Sequence, residues 1–265
     1  MKTLLQAIIY CVAIISMPHA ATAKDTKEAK PYERPSQIDP EVWETLTPYF
    51  LPVDSPLKVA LDSIFKKRNI LKSKKALRQA GFLLFTPAEK IVVARHYKLR
   101  GYLIKAYLEK GEGDKWHWWK RRIDGANLIR ESIARHSFED LMKVPQKWIY
   151  PLPVISAENS APRQRNFILV AEDMSPLNSY DNHKAYKKKM NPRLLEAFYT
   201  IVTENHLRDS LHFDNVPFCE DGKMAFLDTE HFNEPTKHLP LAVLNAHLTE
   251  EMKAHWKHLC THGVR

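Results

Sequence analysis

Glycine is scarce in this chain, with seven residues in 265. The connection between two expected strands, Arg95 to Gly101 (RHYKLRG), holds only Gly101, which excludes a glycine-rich phosphate-binding loop at that place. Cysteine is scarcer still. Of Cys11, Cys219 and Cys260, the first lies in an expected export leader, so the remaining chain supports one disulfide at most. In an oxidising compartment Cys219 and Cys260 could pair; two separate thiols satisfy the sequence equally well. No Asn-x-Ser/Thr acceptor occurs, which favours a bacterial exported protein over a eukaryotic glycosylated one. Beyond residue 17 no apolar run is long enough to span a bilayer, and there is no internal repeat or low-complexity tract.

The ends and charges of the chain carry the next signals. Lys2, the apolar run 4–17 and the small residues Ala21-Thr22-Ala23 read as a signal peptide over residues 1–23, implying export to a bacterial periplasm or secretion. Formal net charge is +9, with basic clusters at 66–68, 72–78, 120–122 and 187–189. Such a surface attracts anionic ligands, although each cluster taken alone reads as a solvated helix face.

Residues 24–38 are polar and contain prolines, and read as a flexible leader. Asp39-Pro40 and Ser55-Pro56 are cap-plus-proline helix starts, so 39–79 reads as an N-terminal helical extension, with Lys58 on its outer side. From Ala80 the pattern turns to strands: 82–85, 90–95, 102–108, 147–152 and 166–174. An amphipathic helix is expected over 116–136, with Trp119, Ile123, Ala126, Ile129 and Ile133 inward. Residues 175–191 read as a polar connector, Asn191-Pro192 starts a further helix, and Thr249 caps a last one. Strands before helices define an α+β plan with a mostly antiparallel sheet over 80–174 and a helical part over 175–265.

The chemistry concentrates in residues 207–232, LRDSLHFDNVPFCEDGKMAFLDTEHF, which hold six carboxylates, two histidines and an asparagine. Val216 to Phe218 and Met224 to Leu227 read as a hairpin around Asp221-Gly222, which brings Asn215 and Asp228 to the same end. An Asn and an Asp there could hold a hard divalent cation through oxygen. Lys105, central in YLIKAYL, needs an anion if it faces inward, and strand alternation leaves either face open. Asp124 or Glu131 on the following helix could be its partner. Alternatively, His212, Asp214, Asp228, Glu230 and His231 could form a transition-metal site of a hydrolase.

In this order of elements, from about residue 80 to 232, the chain resembles the protein-kinase-like fold, including the aminoglycoside-phosphotransferase type. YLIKAYL is similar to the third strand with its nucleotide lysine, FILVAEDM to the adenine-holding strand and hinge, RDSLHFDN to a catalytic loop and LDTE to the metal-binding aspartate motif. The resemblance implies a two-lobed architecture and ATP- and Mg-dependent phosphoryl transfer to an unknown protein or small-molecule acceptor. Lys105 would contact phosphate, steadied by Glu131 or Asp124. Glu172, Asp173 and Met174 would line the adenine pocket, and Asn215 and Asp228 would hold the metal. Asp209 or Asp214 would orient the acceptor. The loop departs from the family by one extra residue between Asp209 and Asn215, which sets Ser210 where the catalytic aspartate belongs. A pseudokinase-type scaffold that binds without catalysis is the companion expectation.

Overall fold

The computed structural model describes residues 30–66, 70–85, 91–108, 114–154, 165–235 and 241–264. The expected signal peptide and the first part of the leader lie outside the described residues. Residues 30–38 do not behave as a loose leader. Ile38 is buried, and the Tyr32 hydroxyl donates to the Leu51 carbonyl at 3.0 Å.

Among the described residues three α-helices precede the sheet. In α1 (Pro40–Leu46) the Asp39 carboxylate accepts from Glu41 N at 2.8 Å, and in α2 (Pro56–Phe65) Ser55 caps Leu57 N. Both starts place proline at the first helical position, where its missing N–H costs nothing. The third helix, α3 (Lys74–Gln79), is capped by Ser73; its basic composition hid it in the sequence. Five strands follow: β1 (Phe82–Leu84), β2 (Ile91–His96), β3 (Tyr102–Tyr107), β5 (Lys147–Pro151) and β6 (Phe167–Glu172). They pair antiparallel throughout, in the order β1-β2-β3-β6-β5. Between β3 and β5 come α4 (Trp116–Arg135) and the two-residue strand β4 (Met142–Lys143). The chain then runs through α5 (Ser179–Lys189), α6 (Pro192–Glu204), β7 (Met224–Ala225) and α7 (Glu250–His262). β7 pairs in parallel with β4.

The sheet is covered on both faces. Val92, Ala94, Ile104, Ala106, Ile168 and Val170 bury one face against Leu61, Phe65 and Leu77 of α2 and α3. Ile149, Phe167 and Leu169 bury the other against Trp119 and Ile123 of α4 and Leu46 of α1. The extension also protects the β5 edge, where Leu51 N donates to Ile149 O at 2.9 Å; an unpaired edge would invite association. Lys58 belongs to this packing rather than to solvent. It is 3% exposed, pairs with Asp62 at 2.8 Å and lies over the Tyr32 ring.

α4 links the sheet to the helical part. Its first half packs on the sheet, while Ala126, Ile129 and Ile133 join Leu195, Phe198, Ile201 and Val202 of α6 in a second core with Phe226 and Trp256. The fold is therefore mixed α and β, with an antiparallel sheet preceding a helical part. The expected connector 175–191 contains α5, started by the Asn178 side chain accepting from Asp181 N.

Candidate functional site

The hairpin expected in the polar stretch forms. Ala225 N donates to Pro217 O and Leu227 N to Asn215 O, both at 2.9 Å, while Gly222 closes the turn with φ 86°. Positive φ at the turn suits glycine. Asn215 and Asp228 thus leave the hairpin side by side, one backbone hydrogen bond before Asp228. Both are partly exposed.

Lys105 meets this end of the hairpin. Ile104 and Ala106 bury toward α2 and α3, so alternation turns Lys105 to the α4 side. Its ammonium lies 3.6 Å from Asp228 Oδ1 and 3.4 Å from the Leu227 carbonyl, with the side chain 11% exposed. Burial pushes the Lys105 pKa below its ordinary value, against the pull of Asp228.

The helix supplies this site with a cation, not the expected acid. Arg122, 3% exposed, places Nη1 at 3.2 Å from Asp228 Oδ1 and pairs through Nη2 with Glu230. At Asp228 the contact is an ion pair without hydrogen-bond alignment, since Oδ1 gains no partner of that kind. Glu131 is exposed, and Asp124 pairs with Lys120 at 2.8 Å. Neither takes the expected part of Lys105 partner; Asp228 does. Cluster 120–122 is accordingly not a solvated face. Beside Arg122, Arg121 donates to the Glu230 carbonyl at 3.0 Å.

A second buried lysine completes the cluster. Lys147, on β5, is 2% exposed and donates to Thr229 Oγ1 at 2.7 Å and to Leu227 O at 3.2 Å. The Thr229 hydroxyl donates in turn to the Arg122 carbonyl at 2.6 Å. Burial, and then the charge of Lys105, hold the Lys147 pKa well below its ordinary value. Burial alone would raise the Asp228 pKa, but Lys105 and Arg122 overcome it and hold that carboxyl below the usual range. Glu230 moves the other way, raised by burial and by Asp228 against the pull of Arg122. Three basic side chains thus surround two carboxylates, with burial disfavouring the charged form of both lysines.

The segment expected to hold adenine is engaged internally. Glu172 N donates to Gln146 O at 3.0 Å, and Glu172 Oε2 accepts from Gln146 N. Asp173 N donates to Gly101 O, its carboxylate is held by Arg95, and Met174 O accepts from Lys143 at 3.2 Å. On Asp173, burial works to raise the pKa, but the bonds from Arg95 and from Ser175 N leave it lowered.

Of the two candidate acceptor-orienting residues, Asp214 is not drawn into this cluster. Asp214 is exposed, and its charge bears on the Tyr186 phenol and on His247, both on the α5 side of the loop. Asp209 begins the short turn Asp209–Leu211, and its side chain lies outside the described residues. Ser210 is buried. His212 is exposed. Among the described residues no three His, Cys, Asp or Glu side chains converge as a metal site, so the hydrolase expectation finds no donor set. Cys219 and Cys260 are free thiols, one of the two arrangements the sequence left open.

Arg122, Lys147 and Thr229 are the site residues that sequence reasoning missed. Arg122 had a signal: it stands three residues after Trp119 and four before Ala126, on the inward stripe of α4. Compared with protein-family models, with curated proteins and with solved structures, the chain matches none.

Proposed function

We propose that this chain is a kinase-like binding protein that receives the phosphate groups of a nucleotide such as ATP at the Lys105–Asp228 cluster. The observation that carries the reading is the 3.6 Å pairing of Lys105, central on β3, with Asp228, beside Asn215 at the end of the hairpin. Protein kinases bring the same residue types together, a β3 lysine and a metal-binding aspartate with a catalytic-loop asparagine. The antiparallel sheet, followed by a helical part, supports a two-lobed kinase-like arrangement. Binding without catalysis fits the buried Ser210 at the position of the catalytic aspartate and the exposed Asp214. The reading includes export through residues 1–23.

ATP- and Mg-dependent phosphoryl transfer to a protein or small-molecule acceptor is the second reading. The adjacency of Asn215 and Asp228 favours it, since two oxygen ligands at one hairpin end suit magnesium.

Thermal unfolding with ATP tests the first reading, because a ligand bound only by the folded state raises the midpoint. The expected result is a rise that Lys105→Met abolishes. Absence of a rise both in excess magnesium and in EDTA refutes it. Labelled-phosphate transfer from ATP and magnesium, lost in Asp228→Ala, would establish the second.

A further inference from the structure

A nucleotide phosphate entering the Lys105–Asp228 cluster brings negative charge that must be neutralised. Kinases place magnesium between the aspartate and the phosphates. Here the aspartate is already occupied. Arg122 Nη1 stands 3.2 Å and Lys105 Nζ 3.6 Å from the same Asp228 oxygen, while Glu230 holds the other arm of Arg122. A divalent cation on Asp228 would join Lys105 and Arg122, against the repulsion of both. An anion is attracted by the same two cations once Asp228 gives way. Arg122 also has an unspent donor: its Nε is buried without a hydrogen-bond partner among the described residues. The guanidinium is backed by the Trp119 ring at 5.5 Å, and its Nη1 arm, now on Asp228, becomes a donor to a phosphate oxygen when Asp228 leaves. Asp228, 30% exposed, is the most accessible member of the ion-paired group and the one a phosphate arriving from solvent reaches first.

We propose, resting on the nucleotide-phosphate reading of this site, that Lys105 and Arg122 bind a phosphate group directly, without a divalent ion, the phosphate displacing Asp228 from its two cations. Lys147 does not touch the ligand, since its amine is engaged by Thr229 and Leu227. The ligand class is a polyphosphate, free or esterified to a nucleoside. The backbone groups at 172–174 that would read a base are largely engaged within the protein.

Calorimetric titration of the full chain tests this, using ATP and inorganic tripolyphosphate, each in EDTA and in excess magnesium. The expected result is ATP binding in EDTA within about threefold of its affinity in magnesium, weakening with added salt. Equal binding of tripolyphosphate identifies the phosphate chain as the ligand; binding of ATP alone identifies the nucleoside triphosphate. Arg122→Gln should lose, and Asp228→Asn should gain, about tenfold in EDTA. Binding that requires magnesium and is lost in Asp228→Asn overturns this inference and leaves the kinase-like reading standing. No binding in either condition overturns both. An Asp228→Asn chain that binds no tighter in EDTA overturns the displacement. The EDTA comparison uses the unaltered chain, so it remains decisive if a variant fails to fold.

Discussion

Gly125, inside α4, and Thr229, just after the hairpin, are in direct backbone contact: a Cβ on Gly125 would stand 1.9 Å from the Thr229 carbonyl oxygen. The same turn of helix receives the Thr229 hydroxyl on the Arg122 carbonyl. Helix and post-hairpin segment are thereby held at a separation that brings Arg122 onto Asp228 and Glu230.

Gly125→Ala should therefore destabilise the protein. In an open helix this change stabilises by about 1 kcal/mol, because alanine is the better helix former. Here the backbone oxygen must move, and overpacking of this kind costs about 1–3 kcal/mol. Urea unfolding should show a net loss of about 1 kcal/mol. A gain in stability would refute the close approach.

The strands and α4 were legible because their cores alternate or recur at helical spacing, as Ile104 and Ala106 do in β3 and Trp119, Ile123 and Ala126 do in α4. What escaped was whatever the pattern of residue types conceals. α5 buries only Asn182, Ala185 and Tyr186, too few apolar groups to mark a face, and β4 is two residues long with a partner far along the chain. Lys58 and Arg122 occupy inward helical positions, but charged residues suggest solvent until their partners are known. In the candidate site, the resemblance put Lys105 and Asp228 in one site, the lysine toward phosphate and the aspartate toward metal, but did not foresee their direct pairing. The replacement of a helix acid by Arg122 required coordinates.

Tyr150 should report on how the N-terminal extension is fastened. Its buried hydroxyl donates to Asp62 Oδ1 at 2.6 Å, while Lys58 holds the other oxygen at 2.8 Å. Tyr150→Phe removes one charged-acceptor bond, but Asp62 is 35% exposed and can turn to water. The expected cost is about 1 kcal/mol, with faster proteolysis before residue 66. Unchanged stability and cleavage would mean that the Tyr150–Asp62 bond contributes nothing to holding the extension.

Asp114 predicts a pH dependence. Its carboxylate accepts from Asn166 N at 2.7 Å and Asn166 Nδ2 at 2.8 Å, yet burial outweighs those bonds and pushes its pKa up from 3.8 to about 6. The folded state then holds the proton more tightly than the unfolded one. This group is least costly below the unfolded value of 3.8, and stability falls as pH rises to about 6, flat beyond. The loss is about 3 kcal/mol across that window. Asp114→Asn removes the titration, so its stability relative to the parent should climb between pH 4 and 7 in urea unfolding. A relative decline would reverse the assigned sign.

Cys219 and Cys260 should remain separate thiols with different reactivity. Cys219 sits in the hairpin turn, fully buried, and burial pushes its thiol up to about 11. Cys260, on α7, is only partly buried, and burial raises its pKa. The thiolate is the reactive form, so a thiol near 11 is deprotonated to about one part in a thousand at pH 8. Iodoacetamide on the native protein should label Cys260 first, with Cys219 following only on unfolding. Intact mass should be the same with and without reductant. A mass lighter by two hydrogens, restored by reductant, would mean that the tail is bridged to the hairpin after all, and that the candidate site is stapled from below.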